Sequence, residues 1–107
     1  MLNFFNNIQS MSPQDVANKL ESPDSYFVDV RTKAEYNQGH ASGAINIPLD
    51  TISSEAEVLK KYKTVYVTCR SGGRSAEVVL ILQSRGVNAI NVSGGTIAWA
   101  SALLPME

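Results

Sequence analysis

Short apolar runs alternate along the chain with segments that carry helical stripes and helix-start signals. Tyr26-Phe27-Val28-Asp29-Val30, Ala44-Ile45-Asn46-Ile47, Thr64-Val65-Tyr66-Val67-Thr68 and Ala89-Ile90-Asn91-Val92 are mostly apolar, the pattern of strands buried on both faces. A further short edge strand is expected around Ile8-Gln9. Between these runs, Ser12-Pro13-Gln14-Asp15 opens a helix with a serine cap, a proline at the first helical position and an acid three residues on, and Val16, Ala17 and Leu20 form its inward stripe. Thr32-Lys33-Ala34-Glu35 is a capping-box pattern for a short helix that Gly39 closes in a left-handed conformation. Ser53 or Ser54 caps a third helix with Ala56 and Leu59 facing inward. The segment from Ala76 is apolar on nearly all sides between Val78 and Leu82 and stops at Gly86, which predicts a well-buried helix. Gly94-Gly95 gives a turn, and Thr96 to Leu104 a closing helix ended by Pro105. Strands alternating with helices imply right-handed crossovers and an α/β fold: a mainly parallel sheet of about five strands with helices on both faces.

Composition narrows the function. At 107 residues and 44% hydrophobic content, the chain fits a single domain over residues 1–107. A formal net charge of −1 argues against nucleic acid or an anionic membrane as the main partner, since either would want a broad basic face. The positive charge is uneven, however: Lys60, Lys61, Lys63, Arg70 and Arg74 fall in a stretch without a carboxylate, so that either the neighbourhood of Cys69 is locally positive or the three lysines only cap a helix end and solvate a loop. One cysteine cannot form an internal disulfide, and this suits a reducing compartment. One Cys and one His make a metal site unexpected, and nothing in the pattern asks for a cofactor. Met1-Leu2-Asn3-Phe4-Phe5 lacks the basic start and length of a secretory signal, and no apolar stretch approaches a membrane span, so a cytoplasmic location is expected.

The chemistry concentrates where the third apolar run stops, at Cys69-Arg70-Ser71-Gly72-Gly73-Arg74-Ser75. A strand, a tight glycine-containing loop and a helix start place backbone N–H groups around a hollow at the carboxyl edge of a parallel sheet, a hollow that favours anions. The helix N-terminus and two guanidinium groups there favour thiolate over thiol, which makes Cys69 a candidate nucleophile. Gly72 and Gly73 permit backbone turns that a Cβ resists. Ser71 and Ser75 either donate hydroxyl hydrogens or cap the helix. His40, the only histidine, is either a base for Cys69 or a structural residue. Asp29 and Arg31, two apart at a strand end, suit a fold-stabilising ion pair, and Trp99 suits core packing.

This loop, together with Asp29-Val30-Arg31, Glu35-Tyr36, Gly39-His40, Gly43-Ala44-Ile45-Asn46-Ile47-Pro48, Val92-Ser93-Gly94-Gly95 and Trp99 in that order, resembles the rhodanese (sulfurtransferase) family over roughly residues 10 to 100. The resemblance implies the rhodanese fold and a cysteine that takes sulfane sulfur from a donor and carries it as a persulfide. It further implies a cradle of main-chain N–H groups from Arg70 to Ser75 for the terminal sulfur. Arg70 and Arg74 then grip an anionic donor such as thiosulfate. The implied partners are a small-molecule sulfur donor and a thiophilic acceptor: cyanide in an assay, a thiol or thioredoxin-like protein in a cell. The family's Gly-His pair is a structural signature, which favours that reading of His40. Two rivals remain. A phosphatase or arsenate reductase of the same fold requires Cys-x-x-x-x-x-Arg, but position 75 is Ser75 and the second arginine comes one residue early at Arg74. A docking module usually lacks the cysteine that is retained here, and between it and a free-standing enzyme stands a sulfur relay, in which the persulfide forms and a protein partner is its acceptor.

Overall fold

The computed structural model describes residues 8–107; the start of the chain, Met1–Phe5 included, lies outside the described residues. Five parallel strands form one sheet: β1 (Ser10–Met11), β2 (Ser25–Asp29), β3 (Ile45–Asn46), β4 (Thr64–Thr68) and β5 (Ala89–Val92), in the order β1-β5-β4-β2-β3. The helices are α1 (Pro13–Lys19), α2 (Lys33–Asn37), α3 (Ala56–Leu59), α4 (Gly73–Ser84) and α5 (Gly95–Ser101). Alternation of side chains along the strands divides the interior into two layers. Val28, Val30, Val65, Val67 and Cys69 face α3 and α4, where Leu59, Val78, Val79 and Leu82 meet them. Phe27, Tyr66 and Val92 face the other way, against Val16 of α1 and Trp99 of α5. Helices therefore cover both faces of a parallel sheet, as the apolar runs require.

The local signals behave as the sequence reads. Ser12 Oγ accepts the Asp15 N–H at 3.2 Å under Pro13. Thr32 and Glu35 form a reciprocal capping box, and Gly39 follows the helix at φ +146°. Five elements differ in detail. The first strand lies at Ser10–Met11, two residues beyond Ile8-Gln9, because pairing with Asn91 and Val92 sets its register. β3 is a two-residue edge strand and not a doubly buried one, so Ile45 is 48% exposed. The segment before α3 is a 3-10 turn over Ile52–Glu55 with no side-chain cap; Ser54 Oγ donates back to Thr51 O instead. α4 begins at Gly73 and buries one side only, leaving Ile81 exposed, while α5 is shorter than Thr96–Leu104 and starts a residue early.

Strand order positions the site. The crossover after β2 leads to β3 on one side, and the crossover after β4 leads to β5 on the other. The chain directions therefore diverge between β2 and β4, and the crevice at their carboxyl ends is where an open α/β sheet binds ligands. Cys69 directly follows β4 and Arg31 lies just past β2 at that crevice.

Candidate active site

Cys69, the residue after β4, is 1% exposed beneath a loop that wraps its sulfur. The Gly72 N–H donates to Sγ at 3.1 Å, and Ser75 Oγ lies 3.3 Å from it. Gly72 takes φ +109°, which turns its N–H inward and makes it the N-cap of α4. Gly73, Arg74 and Ser75 thus belong to the first helical turn. Burial pushes the thiol up, but the Ser75 hydroxyl and the main-chain N–H groups of Ser75, Gly72 and Ser71 outweigh it and hold Cys69 below an ordinary thiol. The stabilising groups are dipoles. Of the two guanidinium groups expected to share in this, Arg74 feels the Cys69 charge only weakly, behind its own contact with Glu35.

What aims these dipoles is a second helix. The N-terminus of α5 takes the carbonyls of the cysteine loop: Thr96 N–H and Oγ1 donate to Cys69 O at 2.8 and 3.0 Å, and Ile97 N–H donates to Arg70 O at 3.1 Å. With its carbonyls drawn toward α5, the loop presents N–H groups to the sulfur. Gly95 makes the approach possible. A Cβ there would stand 2.5 Å from Cys69 O and 2.6 Å from Arg70 C and O, at φ +59°. The Gly94-Gly95 turn of the sequence is therefore a functional part of the cysteine loop's support.

The two arginines part company. Arg74 is bound by both carboxylate oxygens of Glu35, at 2.7 and 2.9 Å. That contact and the Thr32 N–H and hydroxyl hold Glu35 well below the usual carboxylate range, at about 2. Arg70 is exposed and lines a cleft with Arg31, Glu35, Gln38, Thr96 and Ile97. A second cleft is lined by Val30, Thr32, Lys33, Leu49 and Arg74. Cys69 lines neither cleft.

The lysines do not serve this site. Lys60, Lys61 and Lys63 precede β4, at the opposite end of the strand from Cys69, about 17 Å away at ~3.3 Å per residue. Lys60 pairs with Glu57 at 2.9 Å, and Lys61 stands over the Tyr62 ring. The expected positive neighbourhood therefore shrinks to the arginines. His40 stacks on Tyr36 with ring centroids 3.7 Å apart, and its Nδ1 lies 2.9 Å from Tyr36 O; its position is structural. Arg31 grips Asp29 through Nε at 3.0 Å and Nη2 at 2.8 Å and ties down Gly39 O, so the pair supports the β2 end. Trp99 packs on Phe27 and donates to Pro105 O, away from the sulfur.

Glu35, Asn91, Gly95 and Thr96 join the site without having been singled out for it. Glu35 and Gly95 carried signals of another kind, a capping box and a turn, and Asn91 carried one as an amide inside an apolar strand run. Among the described residues no group of three or more His, Cys, Asp or Glu could hold a metal ion, and no helix is long and apolar enough to cross a membrane.

A profile of the rhodanese-like domain matches residues 12–102. A protein of Allochromatium vinosum named sulfurtransferase is 32% identical over 101 residues, covering 92% of this chain and 94% of that protein. A chloroplastic thiosulfate sulfurtransferase of Arabidopsis thaliana is 34% identical over 105 residues, covering 86% and 88%. A crystal structure of a rhodanese-like domain protein from Staphylococcus aureus is 40% identical and superimposes with a TM-score of 0.78 over 86% of this chain and 91% of that chain.

Proposed function

The chain belongs to the rhodanese-like domain family, and on that footing we propose that it moves sulfane sulfur from thiosulfate or a similar donor, through a persulfide on Cys69, to a thiophilic acceptor. The Cys69 thiolate attacks the outer sulfur of the donor. A bond forms between Sγ and that sulfur, and the donor's own sulfur–sulfur bond breaks with its electron pair, releasing sulfite. The persulfide inherits the negative charge, and the N–H groups of Ser71, Gly72 and Ser75 stand ready for it. An acceptor then attacks the outer sulfur and restores the thiolate. As the only cysteine, Cys69 has no partner in the chain to resolve the persulfide, so the acceptor comes from outside as cyanide, a small thiol or a thioredoxin-like protein. The same free thiol suits a reducing compartment such as the cytoplasm.

The observation that carries this reading is the ring of donors around a single buried sulfur. Donor steering falls chiefly to Arg70, because Glu35 already neutralises Arg74. A phosphatase reading loses ground in the same geometry: Ser75, where that chemistry wants an arginine, is fully buried. The test offers thiosulfate with cyanide and, separately, p-nitrophenyl phosphate. Thiocyanate release without phosphate release is expected, with one added sulfur on the intact mass after thiosulfate alone. Arg70→Ala should lower thiosulfate turnover at least tenfold, the weight of about one charge-assisted contact, and affect 3-mercaptopyruvate less. Phosphate release, or an unchanged mass in a folded and reduced sample, overturns the proposal.

A further inference from the structure

Ser75 has one hydroxyl hydrogen and three acceptors within reach: Asn91 Oδ1 at 2.5 Å, Gly72 O at 3.2 Å and Cys69 Sγ at 3.3 Å. Ser75 is 0% exposed and Asn91 7% exposed, so water does not relieve the competition. The orientation of the Asn91 amide follows from its other contact, in which Nδ2 faces Gly72 O at 3.4 Å. A flipped amide would set two acceptor oxygens against each other, so Oδ1 is the end that meets Ser75. The shortest contact claims the hydrogen. The serine that helps stabilise the thiolate is thus also drawn away from it by a buried amide on β5.

We propose that Asn91 is a positioning residue that competes with the Cys69 sulfur for the Ser75 hydroxyl hydrogen and so governs how readily that sulfur ionises and reacts. When Cys69 is a thiolate, the hydrogen turns to Sγ and Asn91 Oδ1 is left bare in the interior, which opposes ionisation. Once Sγ is bonded to a sulfane sulfur, the charge sits on the outer atom. Sγ is then a weak acceptor, and the hydrogen returns to Asn91. No atom is gained or lost in this exchange; one O–H bond rotates. The consequence is a thiolate held less deeply than the main-chain N–H groups and an unopposed Ser75 hydroxyl together would hold it, and a less stabilised thiolate is the stronger nucleophile. The charged groups around Cys69 stay constant through this rotation: Arg70 on its own loop, Arg74 of α4 paired with Glu35 of α2, and Arg31 paired with Asp29 at the β2 end. β5 and α5 bring no charged side chain.

The inference rests on Cys69 as the nucleophile, but its test needs no sulfur donor. The pH dependence of Cys69 alkylation by iodoacetamide reads the thiol directly, and the chain's single cysteine makes the signal unambiguous. Asn91→Val should lower the midpoint by about half to one pH unit, the equivalent of one neutral hydrogen bond. Ser75→Ala should raise it, and Asn91→Val in the Ser75→Ala background should have no further effect. An unchanged or raised midpoint in Asn91→Val, or the same fall without Ser75, overturns the proposal. Should the valine variant not fold, Asn91→Asp keeps the volume and strengthens the competing acceptor. It should raise the midpoint more with Ser75 present than without it, and equal rises overturn the proposal. If the alkylation results are as expected while thiosulfate adds no sulfur to the protein, the sulfurtransferase reading fails and this one stands.

Discussion

Gly95→Ala tests whether the N-terminus of α5 truly positions the cysteine loop. At φ +59° any residue with a Cβ bears the left-handed penalty, about 1–2 kcal/mol. The added carbon also stands 2.5–2.6 Å from three backbone atoms of Cys69 and Arg70, and backbone on both sides cannot swing aside as a side chain would. Relief requires the two chains to separate by most of an ångström, which stretches the Thr96–Cys69 and Ile97–Arg70 hydrogen bonds. At about 1 kcal/mol for each, the total is roughly 3–4 kcal/mol, a large share of a small domain's stability. In a domain of this size that lowers Tm by at least about 12 °C. Gly73→Ala is the control. Nothing lies within 4 Å of its added Cβ, and Gly73 opens α4, so alanine should be neutral or stabilising by up to ~1 kcal/mol. Thermal unfolding measures both variants, and iodoacetamide alkylation at neutral pH reports the loop. Gly95→Ala should alkylate more slowly at a temperature where it is still folded, since displaced N–H groups no longer hold the thiolate. A variant as stable as the parent, with unchanged alkylation, would show that the α5 contact is incidental.

Two further perturbations separate support from chemistry. Glu35 has its carboxyl lowered from 4.5 to about 2 in the folded state by Arg74 and Thr32, so its stabilising contribution is present above pH 4.5 and disappears as pH falls through 2. Tm measured from pH 6 to pH 2 should show the parent losing its advantage over Glu35→Gln across that window, and a constant gap would refute the assignment. Asp29→Ala removes the fully buried partner of Arg31 and leaves a guanidinium only 6% exposed without a counter-charge. The expected loss is about 3–5 kcal/mol in denaturant unfolding, and a loss under 1 kcal/mol would mean that Arg31 simply turns to solvent.

The strands, the capping box and the cysteine loop were legible because their causes are local. A run such as Thr64–Thr68 needs nothing beyond itself to read as a buried strand, and Thr32 needs only Glu35 three residues on. The lysines show how the same locality misleads. They lie close to Cys69 in sequence, yet an extended strand carries five residues from one edge of the sheet to the other, and Lys60, Lys61 and Lys63 stay behind at the far edge. β3 misread for a related reason, since an apolar run signals burial but not how many neighbours a strand has. Arg74 takes its partner from 39 residues away, and no pattern inside the loop distinguishes it from Arg70.

The supporting residues follow from what a thiolate cradle needs. A loop that points its N–H groups at one sulfur must point its carbonyls elsewhere, and buried carbonyls demand donors. A helix N-terminus supplies unpaired donors in the right direction, but it reaches main chain closely only if its first residue has no Cβ. The Gly-Gly pair before α5 is thus the counterpart of the Gly-Gly pair after Cys69, one pair turning donors inward and the other letting the matching donors approach from outside. It follows that Thr96→Val, which removes the hydroxyl bond to Cys69 O and leaves the main-chain bond in place, should cost only about 0.5–1.5 kcal/mol and leave the sulfur's reactivity largely intact. A severe loss of alkylation in that variant would place the loop's orientation on the hydroxyl and not on the helix end.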